Sequence, residues 1–219
     1  MTIKWLTQRE LILKRSLNGL ALWDYDGAIS TSEPIQTEAY KVLLQQNNVE
    51  VEDAFFIKYA RKSTEQTVTL LKADYQLKPT VTQLIAAKND IVDELISLNG
   101  EPTWILQELI SHLTGQGTEI AILSNGKSER ISKAWKRWGL AAEPKIYTKD
   151  NSKNLKFNKQ ELESQLIKTG ANIVFEGNPA NLTQAKKMEA FAVGIRNQSN
   201  KLTDDSANLL LDIQGKFQV

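Results

Sequence analysis

Residues 23–30 have the sequence WDYDGAIS and follow the apolar residues Leu20, Ala21 and Leu22. The apolar run predicts a short buried β-strand over residues 20–24, and Gly27 allows the chain to turn sharply after it. Because side chains alternate along an extended chain, we expect Asp24 and Asp26 to point to the same side. Two neighbouring carboxylates repel each other, and a hard cation such as Mg²⁺ would relieve that repulsion. The alternative is a strand that ends in solvated acids before an ordinary turn.

Strand and helix patterns alternate from residue 99 onward. Apolar runs predict strands at 118–123, 145–147, 172–176 and 191–195. Helical periodicity predicts helices at 103–114, 159–169 and 181–189. This alternation indicates the α/β class, with a Rossmann-like parallel sheet flanked by helices. Residues 4–16 predict a short basic amphipathic helix, and residues 209–211 predict either a last helix or an edge strand.

An all-helical segment interrupts this alternating pattern. Residues 33–98 show helical periodicity and no strand pattern. We therefore predict two domains: a discontinuous core formed by residues 1–32 and 99–219, and an inserted helical domain formed by residues 33–98.

Three of the predicted strands end in turns of polar and small residues. The turns begin at Asp24, Ser124 and Glu176. In an open parallel sheet, ligands bind beyond the carboxyl ends of the strands. Acidic groups, a hydroxyl and the amides at helix starts would together suit a metal ion and a phosphate. Taken singly, Ser124 is also typical of a helix cap and Glu176 of a solvated strand end.

The composition limits the other function classes. The net charge is +1, from 27 basic and 26 acidic residues, and indicates neither a nucleic-acid nor a membrane partner. The absence of cysteine excludes disulfides, thiolate zinc sites and cysteine nucleophiles. The one histidine, His112, lies at the edge of a helical apolar stripe, where we expect it to be half-buried. No segment has the apolar length of a membrane span or a secretory signal, so we expect a cytoplasmic protein. The oligomeric state is not readable from the sequence.

The turns resemble the motifs of the haloacid dehalogenase (HAD) superfamily, in its phosphatase and β-phosphoglucomutase-like branch with a helical cap. The first motif resembles residues 23–40, WDYDGAISTSEPIQTEAY, and the second resembles residues 122–126, ILSNG. The fourth resembles residues 174–195, VFEGNPANLTQAKKMEAFAVGI. The third-motif lysine is best matched by Lys156, with Lys153 as the second choice. The resemblance implies the Rossmann-like core and identifies residues 33–98 as the cap.

The resemblance also implies a reaction, the hydrolysis of a small phosphorylated metabolite through an aspartyl-phosphate. Asp24 would be the nucleophile, and Asp26 would act as general acid and then general base. The phosphoryl oxygens would be held by Ser124, Asn125 and Lys156. The cofactor would be Mg²⁺, held by Asp24, Asp26, Glu176 and Asn178.

Two departures from the family pattern leave other functions open. The fourth motif usually has a second acid, where this chain has Gly177 followed by Asn178. Because affinity for Mg²⁺ falls as ligand charge falls, a catalytically weak or silent protein that binds a phosphorylated ligand is one alternative. A sugar-phosphate mutase is another, although mutases of this type have a histidine near the position of Gln36.

The cap is expected to select the substrate. Arg61 and Lys62 precede a cap helix, and the resemblance makes them candidates for substrate specificity. Lys88 falls on or near an apolar helical stripe. Its ammonium group would either reach solvent along that stripe or bind an anion of the substrate.

Overall fold

The computed structural model describes residues 3–30, 33–51, 59, 62–140, 142–151, 158–197, 200 and 202–213. Its strands are β1 Leu20–Asp24, β2 Glu119–Leu123, β3 Lys145–Tyr147, β4 Ala171–Glu176, β5 Phe191–Arg196 and β6 Leu209–Asp212. Its helices are α1 Ile3–Ser16, α2 Glu33–Gln46, α3 Thr64–Asp74, α4 Val81–Asn99, α5 Trp104–Gly115, α6 Ser128–Trp138, α7 Lys159–Lys168 and α8 Pro179–Lys187.

The strands form one parallel sheet in the order β3-β2-β1-β4-β5-β6. The chain first builds the sheet outward from β1 through β2 to β3. It then returns to the other side of β1 and builds through β4 to β6. The predicted α/β class with a Rossmann-like parallel sheet is therefore confirmed, and residues 209–212 form an edge strand rather than a helix.

The chain divides into two compact units. One comprises Met1–Thr31 and Glu101–Val219, and the other comprises Ser32–Gly100. In the second unit the described elements are helices, and α4 packs against both α2 and α3. Two of these helices begin with a capping box, which Ser63 forms at α3 and Thr80 forms at α4.

The two central strands are joined by aromatic stacking as well as by hydrogen bonds. Trp23 in β1 lies opposite Phe175 in β4. Both side chains are fully buried, and their rings stack with 3.6 Å between centroids and 6° between planes. Each aromatic residue directly precedes an acidic residue, Asp24 on one strand and Glu176 on the other.

The structure corrects some local expectations. His112 is exposed on α5 rather than half-buried. Helix α8 begins at Pro179, two residues earlier than expected, because Asn178 caps it and proline suits the first helical position. Among the described helices, none is both long enough and apolar enough to cross a membrane.

Candidate active site

The site lies where the strand order reverses. β1 and β4 are neighbours, but the chain leaves them in opposite directions across the sheet. In a doubly wound sheet with this strand order, the crevice at the carboxyl ends of these two strands is where ligands bind. Asp24 ends β1 and Glu176 ends β4, so the topology brings these two acids to that crevice.

Asp24 is a buried carboxylate in an ion pair. Its Oδ1 lies 2.7 Å from the Nζ of Lys159, and the residue is only 8% exposed. Burial raises the pKa of the Asp24 carboxyl well above its usual range, and the neighbouring Glu176 raises it further, while Lys159 opposes the shift. The charged form of Asp24 therefore depends on positive charge placed beside it.

Glu176 is held in place by the turn that follows it. Its Oε1 accepts hydrogen bonds from the backbone N–H groups of Gly177 and Asn178, at 3.0 and 2.9 Å. Its Oε2 accepts one from the side-chain amide of Asn181 at 3.2 Å and lies 3.6 Å from the Nζ of Lys159. These bonds orient the buried carboxylate toward Asp24, so both acids share one ammonium group.

Lys159 is the lysine that the structure brings to the acids. Its pKa is raised: burial opposes the shift, but Asp24 and Glu176 outweigh it. The two lysines proposed from the sequence, Lys156 and Lys153, lie outside the described residues.

The sequence at the start of α7 could have identified Lys159 as a candidate site residue. Asn158 caps α7 by accepting hydrogen bonds from Gln160 and Glu161, and an asparagine followed three residues later by a glutamate is a pattern typical of a helix start. That pattern makes Lys159 the first residue of α7, next to the sheet edge.

Asp26 contacts a different set of groups. It lies in the turn over Tyr25–Ile29, where Gly27 has a φ of 101°, a conformation that favours glycine. Its Oδ2 is 2.9 Å from Arg130 and 3.2 Å from the hydroxyl of Ser124. The side chain as a whole is 34% exposed, while its Oδ1 is buried without a hydrogen-bond partner among the described residues.

Ser124 connects the second turn to Asp26. Its buried Oγ accepts hydrogen bonds from the backbone N–H of Gly126 at 3.0 Å and from Arg130 at 3.1 Å. With two donors facing that oxygen, its own proton points to Asp26. The next residue, Asn125, has an exposed side chain.

Arg130 is a site residue that the sequence analysis missed. It is 5% exposed, and its guanidinium lies 5.3 Å from the centre of the Tyr25 ring. Gly126 makes room for it, because a Cβ at Gly126 would lie 2.1 Å from the guanidinium carbon. Asp150 accepts hydrogen bonds from the backbone and hydroxyl of Ser128 and thereby anchors the start of α6. In the sequence, the only indication that Arg130 packs closely against this turn was Gly126, which directly follows Ser124 and Asn125.

The donor set at the two acids suits Mg²⁺. Within the part of the chain that the structure describes, no group of three or more His, Cys, Asp or Glu side chains is arranged to hold a metal ion. Mg²⁺ commonly binds through one or two carboxylates and keeps several waters. The neighbouring carboxylates of Asp24 and Glu176, which are both paired with Lys159, fit that requirement. Asn178 is placed differently, because its exposed side chain caps α8 by accepting from the N–H of Ala180.

The specificity candidates belong to the second compact unit. Lys62 is exposed and lines a cavity of about 440 Å³, together with Gln36, Thr37, Tyr40, Tyr59, Thr64 and Thr67. Lys88 is 3% exposed, so the expectation that its ammonium reaches solvent is wrong. Instead, Lys88 donates a hydrogen bond to the side-chain oxygen of Gln36 and lies 5.1 Å from the centre of the Tyr40 ring. Arg61 lies outside the described residues.

No model of a protein family matches the chain, and no curated protein matches it in sequence. Several solved structures share its fold. A β-phosphoglucomutase-like protein from Thermotoga maritima is 14% identical, with a TM-score of 0.69 over 90% of this chain and 95% of that one. The HAD-hydrolase-like protein YfnB from Bacillus subtilis, bound to magnesium, is 13% identical, with a TM-score of 0.65 over 88% of this chain and 93% of that one.

A third neighbour was solved with an anion. CbbY from Rhodobacter sphaeroides, in complex with phosphate, is 12% identical, with a TM-score of 0.62 over 88% of this chain and 93% of that one. The chain therefore has the fold of haloacid dehalogenase-like phosphatases and β-phosphoglucomutases. The resemblance found in the sequence motifs is confirmed for the fold.

Proposed function

We propose that the protein is a Mg²⁺-dependent phosphomonoester hydrolase that acts on a small phosphorylated metabolite. The observation that carries the proposal is the arrangement at the strand ends. A buried Asp24 carboxylate is paired with Lys159 beside Glu176, and a partly exposed Asp26 is held by Ser124 and Arg130. The neighbours crystallised with magnesium and with phosphate support this choice of cofactor and ligand.

Asp24 performs the first half of the reaction. One of its carboxylate oxygens attacks phosphorus and forms an acyl phosphate, while the ester bond to the leaving oxygen breaks. Asp26, which must enter this step in its protonated form, gives that oxygen its proton and becomes a carboxylate. Lys159 favours the ionised nucleophile because its ammonium lies 2.7 Å from Asp24.

Asp26 performs the second half as a base. It takes a proton from a water molecule that attacks phosphorus, and the phosphorus–Asp24 bond breaks to release inorganic phosphate and the free carboxylate. The partial exposure of Asp26 allows this exchange, and its bonds to Ser124 and Arg130 set its orientation. When bound at Asp24 and Glu176, Mg²⁺ supplies positive charge that offsets the repulsion between nucleophile and phosphate.

The side chain of Gln36 favours a hydrolase over a sugar-phosphate mutase. Mutases of this type have a histidine near this position, and a histidine can carry a proton. Gln36 has an amide, and its oxygen accepts a hydrogen bond from Lys88. The side-chain amide of Gln36 does not titrate near neutral pH, so it does not serve there as a general acid or base.

The proposal is tested with a panel of phosphorylated metabolites and an aryl phosphate. We expect release of inorganic phosphate in the presence of Mg²⁺, and loss of that release on chelation with EDTA. A hexose 1-phosphate with a bisphosphate activator belongs to the same panel, and its isomerisation without phosphate release would favour a mutase. Failure to release phosphate from any compound would contradict the proposal.

A catalytically silent protein that binds a phosphorylated ligand is the second candidate, because Gly177 provides no second acid in the turn after β4. Gly177→Asp tests it. A Cβ at this position would lie 3.3 Å from the side-chain nitrogen of Asn200, so that amide, which donates to the carbonyls of Gly177 and Ile195, must shift by a few tenths of an ångström. If the natural protein is a hydrolase, we expect Gly177→Asp to lower the Mg²⁺ concentration needed for half-maximal activity by a few-fold. Activity that appears only in Gly177→Asp would identify the natural protein as silent.

A further inference from the structure

We propose that Glu163 supplies the negative charge that the fourth motif lacks at Gly177, and that it strengthens Mg²⁺ binding without being a direct ligand. This inference rests on the proposed function, because it concerns the same metal site. Glu163 belongs to α7, whereas the missing acid belongs to the turn after β4. The charge would therefore come from a different element of the fold.

Glu163 has the surroundings of a functional acid rather than a surface one. It follows Lys159 by four residues on α7, which places the two side chains on the same face of the helix. It is 3% exposed, and its Oε1 has no hydrogen-bond partner among the residues that the structure describes. Burying the ionised form of a carboxylate without such partners costs free energy. A nearby cation would reduce that cost.

Glu163 interacts electrostatically with the site. Glu176 repels it and Lys159 attracts it, and its pKa is raised to about 7 by burial first and by Glu176 second. Among the residues that the structure describes, Asp24, Glu176 and Glu163 present three carboxylates to the ammonium of Lys159. In their ionised forms they leave an excess of two negative charges, which one divalent cation balances.

Glu163 acts over a distance rather than by coordination. Within the described residues, no three acidic side chains are close enough together to hold an ion between them. Charges outside the first coordination shell still tune a metal site through water or through space. Glu161 provides the contrast, because it lies on the same helix but is exposed.

The test measures metal binding directly, by calorimetric titration of the full chain with Mg²⁺ and by electron paramagnetic resonance with Mn²⁺. Four proteins are compared: the natural chain, Glu163→Gln, Glu161→Gln, and Glu163→Gln combined with Gly177→Asp. We expect Glu163→Gln to weaken binding by about tenfold or more, as changes outside the first shell commonly do. Glu161→Gln should bind as the natural chain does, and the double variant should recover most of the lost affinity.

Thermal unfolding separates this role from a purely structural one. Glu163→Gln removes a buried like charge, so it should raise the unfolding temperature in EDTA and reduce the further rise that Mg²⁺ produces. A structural role would instead lower the temperature in EDTA and leave the rise produced by Mg²⁺ unchanged. Equal metal affinity in Glu163→Gln and the natural chain would overturn the inference alone. Absence of metal binding in the natural chain would overturn both the inference and the Mg²⁺ dependence proposed above.

Discussion

Asp24→Asn is expected to lower the rate of phosphate release by about 10⁴-fold or more, the scale seen when a nucleophile is removed. An amide oxygen does not form the acyl phosphate on which the proposed reaction depends. The measurement is release of inorganic phosphate from the best substrate of the panel, at saturating substrate and Mg²⁺. A radiolabelled phosphoryl group trapped by acid quench should appear on the natural chain and be absent from Asp24→Asn.

The same variant should not unfold the protein. Burial and Glu176 raise the pKa of Asp24, so removing its charge relieves repulsion in the metal-free state. We expect the unfolding temperature of Asp24→Asn in EDTA to equal or exceed that of the natural chain. Asp212→Asn, at the end of edge strand β6, is the matched control and should retain turnover. Substantial turnover by a folded Asp24→Asn would assign the nucleophile to another residue.

Lys159→Met is expected to have the second largest effect, on both stability and rate. The change leaves Asp24 and Glu176 close together without the ammonium that lies 2.7 and 3.6 Å from their oxygens. Removing one partner of a buried ion pair typically costs about 3–5 kcal/mol, so we expect the free energy of unfolding in EDTA to fall by about 3 kcal/mol. Turnover should fall by about 10²–10³-fold, as for the loss of a group that stabilises developing charge. Urea unfolding and steady-state kinetics measure the two effects.

Two further variants decide how Lys159 acts. Lys168→Met changes an exposed lysine at the other end of α7 and should leave both stability and rate unchanged. Adding Asp24→Asn to Lys159→Met should restore part of the lost stability, because it removes one of the two carboxylates left without a cation. If Lys159→Met were as stable and as active as the natural chain, Lys159 would have no part in the site.

The fold was largely predictable because the sequence patterns that specify its strands and helices are local and periodic. The run before Asp24 and the run before Glu176 are apolar and short, and helical periodicity separates the strands, so the parallel sheet followed from pattern alone. Burial of single polar side chains was less predictable. Lys88 is buried because Gln36 and Tyr40 contact it, and neither contact is visible in the periodicity of α4.

The site was predictable at the strand ends and not beyond them. Asp24, Asp26, Ser124 and Glu176 lie in turns whose positions follow from the strands, and the structure brings Ser124 to Asp26 and Glu176 beside Asp24. The residues that were missed reach the site along helices. Lys159 reaches the acids from α7, and Arg130 reaches Asp26 from α6, where its side chain packs against Gly126. Such contacts depend on how distant elements pack, which the spacing of residues in one helix does not specify.

The stacked rings of Trp23 and Phe175 connect the packing of the core to the position of the two acids. Each ring is attached to the residue immediately before an acid of the site, and the two rings lie nearly parallel at 3.6 Å. Because side chains alternate along a strand, the two rings lie on the opposite face of the sheet from the carboxylates of Asp24 and Glu176, and they pack the two strands together directly behind these acids. A smaller residue at either position would change the spacing of the two carboxylates as well as the packing density. Substitutions made there to alter thermostability should therefore also change the affinity for the Mg²⁺ ion that we propose at the two acids.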